Sequence, residues 1–178
     1  PDARGMFAEG FRADKLAAHI GHLLAVRQTN ISVSVAGAVR GIHYAALPPS
    51  QAKYVTALDG VFLDFVVDLR VGSPTFGEWD CVRLDTLDRR AVYLSEGLGH
   101  ALACLENGTA FYLCSEVYDP VGERAITPLD PTVGLVLPGG PAPVLSPRDT
   151  AAPSLLEARE AGLLPDYEDC LAYRRGLA

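Results

Sequence analysis

From Ile31 to Ser115 the apolar residues follow period two, in short runs broken by turn residues at near-regular spacing. That pattern constrains the fold more than any other feature of the chain. Ile31-Ser32-Val33-Ser34-Val35 alternates apolar and polar residues, as a half-buried strand does. Tyr54–Leu58 and Val61–Leu69 read as two strands flanking Asp59-Gly60, a dipeptide that favours a two-residue hairpin turn. Gly72-Ser73-Pro74 closes the second of these runs. Cys81–Leu84, Ala91–Leu94, Ala101–Leu105 and Ala110–Ser115 read as further strands, the last two joined by Asn107-Gly108. Many short strands with regular turn signals predict an all-β fold: an antiparallel sandwich, barrel or jelly roll.

Helical spacing occurs only outside this region. Leu16, Ile20 and Leu24 predict one short helix over Ala13–Leu24. Beyond Gly134 the chain is rich in Pro and Gly, and Ser154 then serves as N-cap of a helix over Leu155–Ala161 with Gly162 as its stop. No repeat, low-complexity tract or linker intervenes. The expectation is one domain spanning residues 1–178, with part of the natural N-terminus missing before Pro1.

Composition narrows the function classes. The formal net charge is −7, without basic clusters, which argues against binding a nucleic-acid backbone. A few focused Arg residues still suffice for a phosphorylated small molecule. No apolar run approaches twenty residues and no secretory signal is visible, so neither a membrane span nor secretion is expected. Cys81, Cys104, Cys114 and Cys170 lack CxxC spacing and read as reduced thiols of a cytoplasmic protein. His19 and His22 lie three apart on the predicted helix without a third ligand, and no His-x-His pair occurs on a strand. No metal is expected. With no G-x-G-x-x-G motif, no nicotinamide cofactor is expected either.

The chemistry is then left to side chains. His43, Lys53, Tyr112 and Asp149 are the useful candidates. An imidazole can take a proton at neutral pH, a phenol can return one, and a carboxylate behind the imidazole fixes its tautomer. Each has a structural alternative as an isolated residue, and spacing alone does not bring the four together.

Their surroundings form an ordered series. Gln28-x-Asn30, Arg40-Gly41-Ile42-His43-Tyr44, Gln51-Ala52-Lys53 and Asp64-x-x-x-Asp68-Leu69-Arg70 come first. Gly72-Ser73-Pro74-Thr75-Phe76-Gly77-x-Trp79, Glu96-Gly97-x-Gly99-His100-Ala101 and Tyr112 follow. Tyr118-x-Pro120-x-x-Glu123 and Leu145-Ser146-x-Arg148-Asp149 close the series. This set resembles the dTDP-4-dehydrorhamnose 3,5-epimerase family over nearly the whole chain, starting at Asp2-x-Arg4-Gly5. Gly162-Leu163-Leu164-Pro165-Asp166-Tyr167 is most similar to the subgroup that serves antibiotic deoxysugars.

The resemblance implies a cupin-like antiparallel jelly roll (a double-stranded β-helix with short peripheral helices), a homodimer with exchanged N-terminal strands, and no cofactor. It implies epimerisation beside the ketone of a dTDP-4-keto-6-deoxyhexose, with His43 as base, Asp149 as its partner, Tyr112 as acid and Lys53 near the C4 oxygen. It places Arg4, Gln28, Asn30, Arg40 and Arg148 around the nucleotide diphosphate, and Glu9, His100 and Glu123 at substrate contacts. Ala45 stands where the family often has Gln, Leu94-Ser95 where it often has Ile-Pro, and Leu137-Pro138 where it often has Trp-Pro. Val117 stands where many bifunctional members carry an aromatic residue. These departures leave open which carbon is inverted and which 3-substituent is accepted. A sugar-nucleotide ketoisomerase and a non-catalytic nucleotide-sugar binder are the rival readings.

Overall fold

The computed structural model describes residues 2–138 and 142–177. In chain order the elements are α1 (Ala13–Ile20), β1 (Gln28–Ser34), β2 (Val39–Ala45), β3 (Lys53–Asp68), β4 (Trp79–Asp85), β5 (Ala91–Leu94), β6 (Leu98–Cys114), β7 (Glu123–Ala125), α2 (Pro147–Thr150), α3 (Leu155–Glu160) and α4 (Tyr167–Arg175). The pairings given for the strands are all antiparallel. The fold is a jelly roll, one of the three architectures the period-two pattern leaves open and the one the resemblance implies.

The two hairpins expected at Asp59-Gly60 and Asn107-Gly108 do not form. Each dipeptide lies inside a single long strand, β3 or β6, and the two strands run against each other from Lys53↔Cys114 to Asp68↔Leu98. The register shifts between Ala57 and Phe62, so the two dipeptides meet as facing bulges. Both signals ask for glycine, and a bulge needs that residue as much as a tight turn does. Gly60 has φ +72°, and a Cβ there would stand 2.6 Å from Gly108 Cα. A Cβ on Gly108 would stand 2.7 Å from Gly60 Cα.

The bulge bends both strands, and each half then serves a different leaf. The second half of β3 and the first half of β6 pair with β4 and β2, and β2 with β7. The first half of β3 and the second half of β6 pair with β5 and β1. Side chains alternate across each leaf. Val55, Ala57, Phe62, Leu84, Leu102, Cys104 and Ala110 form the inner core from both halves. On the outer face of the first leaf, Ile42, Tyr44, Phe65, Val67 and Ala101 pack against Leu155 and Ala158 of α3. On the outer face of the second, Leu113, Phe111 and Tyr54 meet Phe11, Leu16 and Leu24.

The helices depart from expectation at their ends. Gly21, left-handed at φ 89°, stops α1 after Ile20, so His19 and His22 do not share a helix face. Leu24 is buried beyond that stop. Ser154 and Glu157 form a complete capping box at α3, and Gly162 follows at φ +65°. The short α2 and the C-terminal α4 were not expected. Ser146 caps α2, with Pro147 in its first turn, and the Asp166 carboxylate accepts from the Glu168 and Asp169 amides at α4. Among the described residues no helix is long and apolar enough to cross a membrane.

Gly60→Ala is expected to destabilise the protein by about 2–4 kcal/mol, because the new Cβ meets backbone on the facing strand. Gly21→Ala, with open space around its Cβ position, is expected to cost about 1 kcal/mol. Urea denaturation of both variants checks the order, and equal losses would contradict the close approach of β3 and β6.

Candidate active site

Inward-facing positions of both leaves converge on a cavity of ≈ 440 Å³. Strand parity explains its composition. His100 and Leu102 of β6 point inward in the first leaf, where Ala101 and Ala103 join the outer core. Tyr112 lines the cavity in the second leaf, between the outward Phe111 and Leu113. Lys53 opens β3, directly across from Cys114. Gln28, Asn30 and Ser32 alternate along β1.

Arg40 and His43 are three residues apart on one strand, and regular alternation would put them on opposite faces. They pair with Leu102 and His100, two apart on β6, so β2 carries one extra residue between them. This bulge turns both side chains into the cavity. Gly41 sits within it at φ +126°, packed against the backbone of His100 and Ala101.

His43 Nε2 lies 2.7 Å from Asp149 Oδ1. Asp149 is buried in the single turn of α2, where its amide donates to Ser146 Oγ at 3.1 Å. Burial pushes the Asp149 carboxyl up, but the bonds it accepts, chiefly from His43, hold it below the ordinary carboxylate value. Nε2–H therefore donates to the carboxylate, leaving Nδ1 of the neutral ring with its lone pair.

Deeper in the site, Lys53 Nζ lies 3.4 Å from His100 Nε2, and His100 Nδ1 lies 3.0 Å from Asp64 Oδ1. Burial pulls the Lys53 ammonium down, opposed by Glu123, Cys114 and Asp64. Burial likewise lowers His100, opposed by Asp64. The Tyr112 phenol is pushed up by burial and by the neighbouring Cys114 and Glu123, so it holds its proton at neutral pH. The Arg40 guanidinium donates from Nε to Ser34 Oγ at 3.0 Å and from Nη2 to the Val33 carbonyl at 3.0 Å. Gln28 Nε2 donates to Asn30 Oδ1 at 2.8 Å, and Gln28 Oε1 accepts from the Tyr118 amide at 2.8 Å.

His43, Lys53, Tyr112, Gln28, Asn30, Arg40, His100 and Glu123 thus line one cavity, with Asp149 behind His43. Arg148 stays beside it, donating from Nη2 to the Glu123 carbonyl at 2.8 Å. Arg4 and Glu9 do not reach it. Arg4 pairs with Asp2 at 2.6 Å on the surface, while Glu9 pairs with Arg12 and Lys15 at 3.0 Å each. Ile31, Ser32, Val33, Gln51, Leu102 and Tyr118 also line the cavity and were not expected there from the sequence. The sequence also left Asp64 without a site role. Gln51, Asp64 and Tyr118 stand inside the quoted motifs, and the strand parity of Ser32 and Leu102 was the available signal. Among the described residues, no group of three or more His, Cys, Asp and Glu side chains is arranged to hold a metal ion.

The family model of dTDP-4-dehydrorhamnose 3,5-epimerase matches residues 1–157. The chain belongs to the dTDP-4-dehydrorhamnose 3,5-epimerase family. It is an epimerase, of the isomerase class. A dTDP-4-dehydrorhamnose 3-epimerase of Streptomyces niveus is 52% identical over 172 residues, covering 96% of this chain and 83% of the relative. The rmlC epimerase of Mycobacterium tuberculosis superposes with TM-score 0.98 at 50% identity, covering 99% of this chain and 90% of that one. A 3'-monoepimerase from Streptomyces bikiniensis, solved in complex with dTDP-quinovose, superposes with TM-score 0.96 at 45% identity, covering 99% and 89%. These epimerases share the jelly roll described above.

The depressed Asp149 carboxyl makes a signed prediction. Its stabilising contribution is complete above the ordinary carboxylate pKa and is lost as pH falls through the lower folded value. Asp149→Asn should cost about 1–3 kcal/mol at pH 7. The gap from wild type should narrow steadily below about pH 4. Denaturation midpoints across that range test this, and a gap independent of pH would contradict it.

Proposed function

We propose that this epimerase inverts C5, C3 or both in a dTDP-4-keto-6-deoxyhexose, by proton transfer between His43, the substrate carbon and Tyr112. The observation that carries the reading is one cavity holding the His43–Asp149 pair, Tyr112 and Lys53. His43 enters from the first leaf and Tyr112 from the second, which suits a base and an acid serving opposite faces of a sugar ring.

The ketone at C4 acidifies the hydrogens on C3 and C5. His43 Nδ1 takes the proton, and the C–H electron pair moves into an enolate whose charge collects on the C4 oxygen. The Lys53 ammonium stabilises that oxyanion. Tyr112 then gives its phenolic proton to the opposite face of the carbon, and the centre is inverted. Asp149 holds the His43 tautomer and stabilises the imidazolium. General acid–base assistance of this kind contributes about 10²–10⁴-fold, and fixed charge at the oxyanion can contribute more. Arg40, Gln28 and Asn30 supply donors for the nucleotide diphosphate, with Arg148 at the margin, and the exposed Tyr118 ring at the rim offers a stacking surface to the base. His100 and Glu123 contact the sugar.

Incubation with dTDP-4-keto-6-deoxyglucose in D₂O, followed by NMR, tests the reading. Deuterium is expected at C5, at C3 or at both, and the pattern tells which carbon is inverted. His43→Asn should lower exchange and inversion by at least about 10²-fold. Tyr112→Phe should retain more exchange than inversion. Near-normal turnover by His43→Asn would remove the assignment. A shift of the ketone from C4 to C3 would favour the ketoisomerase.

The same reading includes a homodimer and a cytoplasmic location, the latter in keeping with four free thiols. β1 lies at a sheet edge with Ile31, Val33 and Val35 exposed, and Phe7 is 91% exposed in the N-terminal segment that carries Arg4 and Glu9. A second copy covering this edge would bury these side chains and bring its own Arg4 and Glu9 to the neighbouring cavity. Sedimentation should give twice the mass of one chain, and Ile31→Glu with Val33→Glu should halve it. A monomer in the unmutated protein would overturn the dimer.

A further inference from the structure

Asp64, His100 and Lys53 form a buried row that the proton transfers above do not explain. Asp64 is fully buried, and Lys53 and His100 are each 7% exposed. The contacts run from Asp64 Oδ1 to His100 Nδ1 at 3.0 Å, and from His100 Nε2 to Lys53 Nζ at 3.4 Å. Asp64 Oδ2 is buried and has no hydrogen-bond partner among the described residues. We propose that Asp64 is a positioning residue that keeps Lys53 charged and aimed into the cavity, acting through the imidazole of His100.

With Asp64 ionised and one proton shared between Lys53 and His100, hydrogen-bond accounting limits the row to two patterns. A carboxylate only accepts, so His100 Nδ1 carries a proton and donates to Asp64. Either His100 is neutral and its Nε2 accepts from the Lys53 ammonium, or the imidazolium donates to a neutral amine. Lysine and histidine differ by about four units in ordinary pKa, a preference of roughly 10⁴-fold for the proton to stay on nitrogen of lysine. The surroundings act on both groups. Lys53 faces Cys114 of β6, Glu123 of β7, Asp64 of β3 and Arg148 of α2; only Arg148 among these opposes its charge. His100 faces Asp64, Lys53 and His43 of β2, and the last two oppose charge on it. Cys81 of β4 lies near Asp64 and is pushed up by burial and by that carboxylate. The neutral-imidazole pattern is favoured.

The row then behaves as an ion pair divided by a ring. Two isolated buried charges would each be costly, and here one compensates the other across His100. His100 is fixed at both nitrogens, so the direction of Nζ is fixed with it.

The protonation states stand independently of the proposed reaction, and the effect on turnover rests on it. Lys15 and Lys53 are the two lysines of the chain. Protein labelled with ¹⁵N in lysine and histidine therefore gives two side-chain ammonium signals, with the exposed Lys15 as internal reference. At pH 7 the unmutated protein should show Lys53 charged and His100 neutral, with its proton on Nδ1. Asp64→Asn keeps an oxygen that accepts from Nδ1–H but removes the charge. It should lower the Lys53 titration midpoint by at least about one pH unit, a tenfold change in its equilibrium. The alkaline limb of kcat/KM should move down with it. A neutral Lys53 or an Nε2–H His100 in the unmutated protein overturns the proposal even if Asp64→Asn does not fold. An unchanged Lys53 midpoint in a folded Asp64→Asn overturns it too, leaving Asp64 a structural residue. A lowered midpoint with an unmoved alkaline limb overturns the catalytic consequence and counts against Lys53 as the oxyanion partner.

Discussion

The approach of Gly60 to Gly108 sets the geometry on which the site depends. Two side chains at these positions would drive β3 and β6 apart at their centre. Without them the strands touch, shift register and bend, and the two longest elements of the chain pass from one leaf into the other. Tyr112 and Lys53 then belong to one leaf, His43 and His100 to the other. A flat sheet would leave Lys53 and Tyr112 far along β3 and β6 from His100 and from His43 on the adjoining β2. Bent, the sheet closes them round a cavity, while Phe62, Leu102 and Ala110 fill the space beside it.

The second bulge, at Gly41, works on a smaller scale. One additional residue in β2 reverses the parity between Arg40 and His43. A guanidinium suited to phosphate and an imidazole suited to proton transfer are thereby presented from one short strand to one cavity. Removal of that residue would turn one of them into the outer core occupied by Ile42 and Tyr44, where a charged group finds no water.

The strands β1, β4 and β5 and the capping of α3 were legible in the sequence because local rules decide them, although Ile31 and Val33 of β1 and the following Val35 are exposed and not buried. The two Gly dipeptides were legible as glycine requirements but not as bulges. A turn and a bulge demand the same backbone freedom, and only the facing strand tells them apart. Site membership was legible through the ordered motifs, yet the reason for it was not. His43 and Asp149 meet across 106 residues because Ser146 and Pro147 fold a single helical turn, too short for any periodicity to announce. Asp64 was passed over because an Asp on a strand with apolar neighbours has no local feature that distinguishes a surface residue from one facing a buried imidazole. Arg4 and Glu9 lie in an N-terminal segment with no strand or helix pattern, and their charges are taken up by Asp2, Arg12 and Lys15.

Two carboxylate–imidazole pairs with the same chemical composition stand in this cavity, and the nitrogen each carboxylate holds separates their uses. Asp149 takes Nε2 of His43, so the nitrogen left over is Nδ1, on a ring that lines the cavity with 23% of its side chain exposed. Asp64 takes Nδ1 of His100, so the nitrogen left over is Nε2, buried against Lys53. Partial exposure leaves the first ring some of its hydration. Burial, with the ammonium beside it, denies the second ring a positive charge. In the proposed reaction the first pair takes up the substrate proton while the second carries none away, and the enolate forms between a base that becomes positive and a lysine that is already charged.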